Sequence, residues 1–185
     1  MRFTILPILC LASSTLALPV ESALKDIQII ERSLRSVSAS LDKLSSELQA
    51  INPRMPSSEV QQRWPNVERV GHDLSNLLDR DAREIRMSPT INAFEASTLL
   101  QSLTRLSDAT DRTVNEWISI RGALNQGDRK KVVDVLKHHQ ASSGAYADAI
   151  LSRQQGATGL LTGPPGQLFG QRAKVSIQRA LIAYQ

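Results

Sequence analysis

Apolar residues recur every three and four positions from Val20 to Ile51. Stepping by seven from Val20 gives Val20, Ile27, Leu34, Leu41 and Leu48. Three positions after each come Ala23, Ile30, Val37, Leu44 and Ile51. The positions between carry Lys25, Asp26, Glu31, Arg32, Asp42, Lys43 and Glu47. This a/d heptad pattern predicts a helix with one apolar stripe, ~45 Å long at 1.5 Å per residue. A lone amphipathic helix gains too little from propensity to hold, so the rest of the chain is expected to cover the stripe.

The same period continues downstream. Asn52-Pro53 should end the first helix, with Ser57 or Ser58 capping a second that carries Val60, Trp64, Val67, Val70, Leu74, Leu77 and Leu78. Pro65 is expected to kink or divide it. The charged stretch Asp79-Arg80-Asp81-Ala82-Arg83-Glu84 reads as a solvated face laced with ion pairs, and Ser88-Pro89 closes the element. Asn92-Ala93-Phe94-Glu95 has the form of a capping box opening a third helix through Leu99, Leu103, Leu106, Val114, Trp117 and Leu124. Gln126-Gly127 should stop it, and Asp128 should cap a fourth helix with Val132, Leu136, Tyr146 and Ile150. Residues 155–170, with five glycines and Pro164-Pro165, read as a long loop. A last helix, about Gln171 to Tyr184, offers Val175, Ile177, Ala180, Leu181 and Tyr184. With no strand pattern, the expected class is all-α: an antiparallel, up-and-down bundle of about five helices.

The first 17 residues stand apart from this pattern. Arg2, the apolar run Phe3 to Leu16 and the small-x-small Thr15-Leu16-Ala17 predict a secretory signal peptide cleaved after Ala17. The run is too short to span a membrane, and Pro7 interrupts it. Cleavage would remove Cys10, the only cysteine, leaving residues 18–185 as one domain that must rely on a packed core. It would also lower the formal net charge from +4 to +3. Charges of both signs are interspersed, which argues against nucleic acid. One bias remains: no acid follows Asp148, whereas Arg153, Arg172, Lys174 and Arg179 do. Such a segment is either a solvated face or one that favours a carboxylate ligand or anionic surface.

Candidate chemistry is sparse. His138 and His139 point about 100° apart on a helix, His72 stands alone, and nothing has metal-ligand spacing. A Gly-x-Ser-x-Gly elbow is absent, the serines Ser33, Ser36, Ser38, Ser40, Ser45 and Ser46 read as one helix's polar face, and the glycine stretch lacks the Lys-Ser/Thr of a phosphate loop. No enzyme activity, metal or cofactor is therefore expected. Trp64 and Trp117 both fall on apolar stripes, where core packing competes with lining a cavity between helices. On pattern alone, Trp64, Leu74, Leu103, Trp117 and Leu136 are the candidate apolar lining of such a cavity. At ~0.8 kcal/mol per buried methylene, an acyl chain could be held there with few polar contacts.

Three segments carry a family resemblance: ALKDIQIIERSLRSVSASLDKL, MSPTINAFEASTLLQSLTRLSDATDRTVNEWISIRGAL and KKVVDVLKHHQASSGAYADAIL. Together they resemble the fungal hydrophobic surface binding protein A and cell wall galactomannoprotein family. The resemblance implies a secreted, helical, non-catalytic protein. Members adsorb to hydrophobic surfaces and recruit secreted hydrolases such as cutinases, and some are cell-wall mannoproteins that bind fatty acid between their helices. The expected partners are thus a hydrophobic surface or a fatty acid, and a hydrolase, with the chain itself a monomer. Pairing of the first helix's heptads with another chain is the alternative. A Ser/Thr-rich tail of the kind found on wall-bound members is absent, and the glycine-proline stretch is long for the family.

Overall fold

A computed structural model describes residues 19–52, 54–154 and 164–185, with side chains described from residue 27 and, in the last segment, from residue 170. The expected signal segment lies outside these residues. Five helices follow in order: α1 (Pro19–Gln49), α2 (Ser57–Met87), α3 (Ala93–Ile120), α4 (Gln126–Leu151) and α5 (Pro164–Tyr184). A short 3-10 turn, Arg121–Ala123, follows α3. Among the described residues the only β pairing is a single bridge, Ile91 to Gln154.

The heptad stripe is the spine of the core. Ile27, Ile30, Leu34, Val37, Leu41, Leu44, Leu48 and Ile51 are all buried. The helices form a closed ring in the order α1, α2, α4, α5, α3 and back to α1. Cross-helix pairs fix the directions. Asp42–Arg112 and Gln49–Glu116 climb α1 and α3 together. Gln61–Asp128, Glu68–Lys131 and Gly71–His139 do the same for α2 and α4. Asp111–Ser176, Asn115–Arg179 and Trp117–Tyr184 do so for α3 and α5. Direction therefore alternates along the chain, while α1/α3, α2/α4 and α3/α5 are parallel neighbours in space.

Several expected boundaries move. Neither Ser57 nor Ser58 caps α2; Pro56 occupies the cap position without a side-chain bond. Pro65 lies inside α2, which is not divided. Pro65 and Gln61, whose carbonyl loses its donor, are both exposed, so water can satisfy that oxygen. The capping box at α3 is present: Asn92 accepts from Glu95 N at 3.0 Å, and Glu95 accepts from Asn92 N at 2.7 Å. For α4 the cap is Asn125 rather than Asp128, and Gly127 lies within the helix rather than stopping α3. The cap hydrogen bond runs from Asp128 N to Asn125 at 2.9 Å. Of the expected loop 155–170, residues 155–163 lie outside the described residues, and 164–170 are helical. Pro164 opens α5, where its missing N–H costs no intrahelical bond. Val175, expected in the core, is 68% exposed.

Burial also reaches past the apolar stripe. Ser33 and Ser45, expected on a polar face, are buried, and so is Asp81 within the charged run of α2. Ser33 Oγ donates to Asp81 Oδ2 at 2.7 Å and, its one proton being used, accepts from the Tyr146 hydroxyl at 2.9 Å. Arg80 donates to the other carboxylate oxygen at 3.0 and 2.9 Å. The buried carboxylate thus accepts from α1 and α2, and Tyr146 of α4 supports it through Ser33. In a ring each helix meets two neighbours and the interior, so its buried arc is wider than a heptad seam.

Candidate functional site

The ring encloses a central cavity to which all five helices contribute. From α1 come Val37 and Leu41, from α2 Leu74 and Leu78, and from α3 Leu106, Val114 and Trp117. Helix α4 adds Leu136, His139, Ser143 and Tyr146, and α5 adds Ala173 and Ile177. Thr110 and Thr113 also line it, but their hydroxyls donate to their own helix at Leu106 O and Ala109 O, both at 2.9 Å. No Lys, Arg, Asp or Glu is among the lining residues. The cavity volume is about 40 Å³. That suffices for a few waters at roughly 10–15 Å³ each, whereas drug-sized ligands occupy pockets of about 300 Å³ or more.

Of the five residues picked from the sequence, Leu74, Trp117 and Leu136 line this cavity. Trp64 and Leu103 are buried but do not line it. Trp64 is engaged instead with Trp117, edge to face, at 6.3 Å between ring centroids and 68° between planes. That contact bridges α2 and α3 across the ring's interior, although the two helices are not ring neighbours. Leu103 lies too far toward the start of α3, which lines the cavity only from Leu106 onward.

Sequence reasoning passed over the polar lining. His139 is buried, and its Nε2 lies 2.7 Å from the carbonyl oxygen of Gly71. A carbonyl only accepts, so Nε2 carries the proton and, in the neutral ring, Nδ1 is the acceptor nitrogen. Burial is the main reason its pKa falls from 6.5 to about 4; the Gly71 bond opposes the shift, and the charges of His138 and His72 add to it. His138 faces outward, with Nε2 3.4 Å from Asp79. Burial likewise raises the Tyr146 pKa well above its ordinary value, with the Ser33 bond opposing. The Trp64 and Trp117 Nε1 atoms are buried without a hydrogen-bond partner. An indole N–H on a helix's inner face was the one signal that could have marked a donor here.

Near the end of α5, Tyr184 donates its hydroxyl to Trp117 O at 2.5 Å. Trp117 is in the last turn of α3, where carbonyls lack helical partners, so this bond closes the helix end and fastens α5 to α3. No group of three or more His, Cys, Asp or Glu side chains among the described residues is arranged to hold a metal. No described helix is long and apolar enough to cross a membrane.

In class, then, this is a five-helix all-α bundle around an apolar cavity. The same fold occurs in ligand-binding domain 1 of the Penicillium marneffei MP1 protein complexed with arachidonic acids, with a TM-score of 0.75 at 13% identity over 86% of this chain and 99% of that one. AfMP4p in complex with palmitic acid superposes with a TM-score of 0.70 at 12% identity, over 88% and 99% of the two chains. Ligand-binding domain 2 of MP1, complexed with multiple arachidonic acids, gives 0.71 at 12% identity over 85% and 95%. No family model and no curated protein sequence matches the chain.

Proposed function

We propose that this protein binds a long-chain fatty acid in its central cavity and acts as a secreted, non-catalytic lipid carrier. The observation that carries the reading is the five-helix cavity, apolar apart from a few hydroxyls and rings and free of charged lining. The fold it shares with domains solved around arachidonic and palmitic acid supports it. At about 40 Å³ the cavity is the closed form, so an acyl chain must part the helices to enter. The opening cost is offset by ~0.8 kcal/mol per methylene removed from water, which favours long chains over short ones.

Displacement of a fluorescent fatty acid by unlabelled acids of increasing length tests this reading. Affinity should rise with chain length at one ligand or a small whole number per chain. Absence of saturable binding at any length would overturn it. Secretion rests on residues 1–17, and sequencing the amino terminus of exported protein should find it at residue 18.

Adsorption to a hydrophobic surface is a second reading, favoured by one observation. Val175 and Ile182 are 68% and 62% exposed and stand two turns apart on one face of α5. Replacing both with serine should reduce uptake onto polystyrene while leaving fatty-acid binding in place.

A further inference from the structure

The cavity contains no cation, so a fatty carboxylate cannot lie inside without losing its hydration uncompensated. Its charged end must rest at a mouth. Among the described residues three surface grooves could supply one, and two share no lining residue with the cavity. The groove between α1 and α3 holds Arg35, Arg105 and Arg112 but belongs to the outer side of that seam. The groove at Arg129 and Tyr184 is likewise separate.

The third groove runs between α4 and α5 and shares Ser143 with the cavity. Arg86, Lys137 and Lys174 line it against one carboxylate, Asp148. Arg86 already donates to Ala145 O at 3.2 Å, whereas neither lysine is paired with a carboxylate among the described residues. The groove is open at Gly144, where an added Cβ would meet nothing within 4 Å. It pinches at Gly170, where an added Cβ would come 3.4 Å from that of Ala147. Inward of Ser143, the same two helices continue with Tyr146, Ala173 and Ile177 on the cavity wall.

We propose that Lys137 and Lys174 bind the carboxylate of the fatty acid at the α4/α5 groove, with the acyl chain passing Ser143 into the central cavity. This rests on the lipid-binding reading and adds to it the polarity of the ligand and the seam by which it enters. The acid-poor stretch after Asp148 then has a use: it keeps the mouth free of a competing carboxylate beside Lys174.

The test compares palmitate with the uncharged alcohol of the same chain length. In the double variant Lys137→Gln/Lys174→Gln, palmitate should bind about tenfold more weakly, the loss of a charge-assisted contact, while the alcohol binds as before. Both lysines are exposed, so the fold should persist, as circular dichroism will report. Ser143→Leu should weaken both probes together by narrowing the passage. Unchanged palmitate affinity in the lysine variant, or equal loss of acid and alcohol, overturns the proposal. So does a selective loss of palmitate in Arg35→Gln/Arg105→Gln. If the unmodified protein binds neither probe, the lipid-binding reading itself fails, a result distinct from the others.

Discussion

His139 Nε2 donates to the carbonyl oxygen of Gly71 at 2.7 Å, tying α4 to α2 beside the cavity. Burial keeps the imidazole neutral by lowering its pKa to about 4, against the opposing pull of this bond. In the unfolded chain the ring regains its usual affinity for protons, so between about pH 4 and 6.5 the unfolded state binds more protons than the folded one. Stability from this group is complete above pH 6.5 and is lost as pH falls to about 4, to the extent of roughly 3 kcal/mol. Urea titrations across that window should show stability rising with pH. The slope should be smaller in His139→Gln, and an unaltered slope would remove His139 as its source.

At Gly71, α2 and α4 approach closely. A Cβ there would sit 3.0 Å from Val135 Cγ1 and 3.9 Å from His139 Cε1. Gly71→Ala should therefore destabilise by about 1–3 kcal/mol despite the better helix propensity of alanine. Gly144→Ala is the contrast, since its Cβ enters open space. It should stabilise by up to about 1 kcal/mol in thermal unfolding.

The Ser33–Asp81–Tyr146 chain is the main buried polar network. Ser33→Ala removes a donor from a buried carboxylate and the acceptor of the Tyr146 hydroxyl. The expected loss is about 2 kcal/mol in denaturant midpoint measurements. Combining it with Tyr146→Phe should cost less than the sum of the single changes, because the second removes the hydroxyl that the first orphans.

Trp117 lines the cavity and Trp64 does not. Fatty acid should alter intrinsic fluorescence through Trp117, so Trp64→Phe should keep the signal and Trp117→Phe should lose most of it. A response retained in full by Trp117→Phe would place the ligand elsewhere.

The helical class and the buried spine from Ile27 to Ile51 were legible because a seven-residue repeat states which face is inside. What that repeat cannot state is how wide the inside is. Ser33, Ser45 and Asp81 are buried because ring neighbours cover flanks that a two-helix seam would leave wet. Trp64 and Leu103 read as lining for the same reason that Leu74 and Leu136 did. Only the axial offset of α3 and the Trp64–Trp117 contact separate them. Glycine and proline density misled at residues 164–170, because a proline pair suits a helix start as well as a loop. The groove lined by Lys137 and Lys174 was out of reach of pattern reading, since it exists only once α4 and α5 pack.

Helices α3 and α4 barely touch one another; α5 is what joins them. It also follows the other four in the chain, so during synthesis α1 to α4 can associate while that side still gapes. Until α5 docks and Tyr184 latches onto Trp117 O, the wall formed by Ala173 and Ile177 is missing. A nascent chain would then be a trough rather than a barrel of staves, and could be filled before its last stave is set.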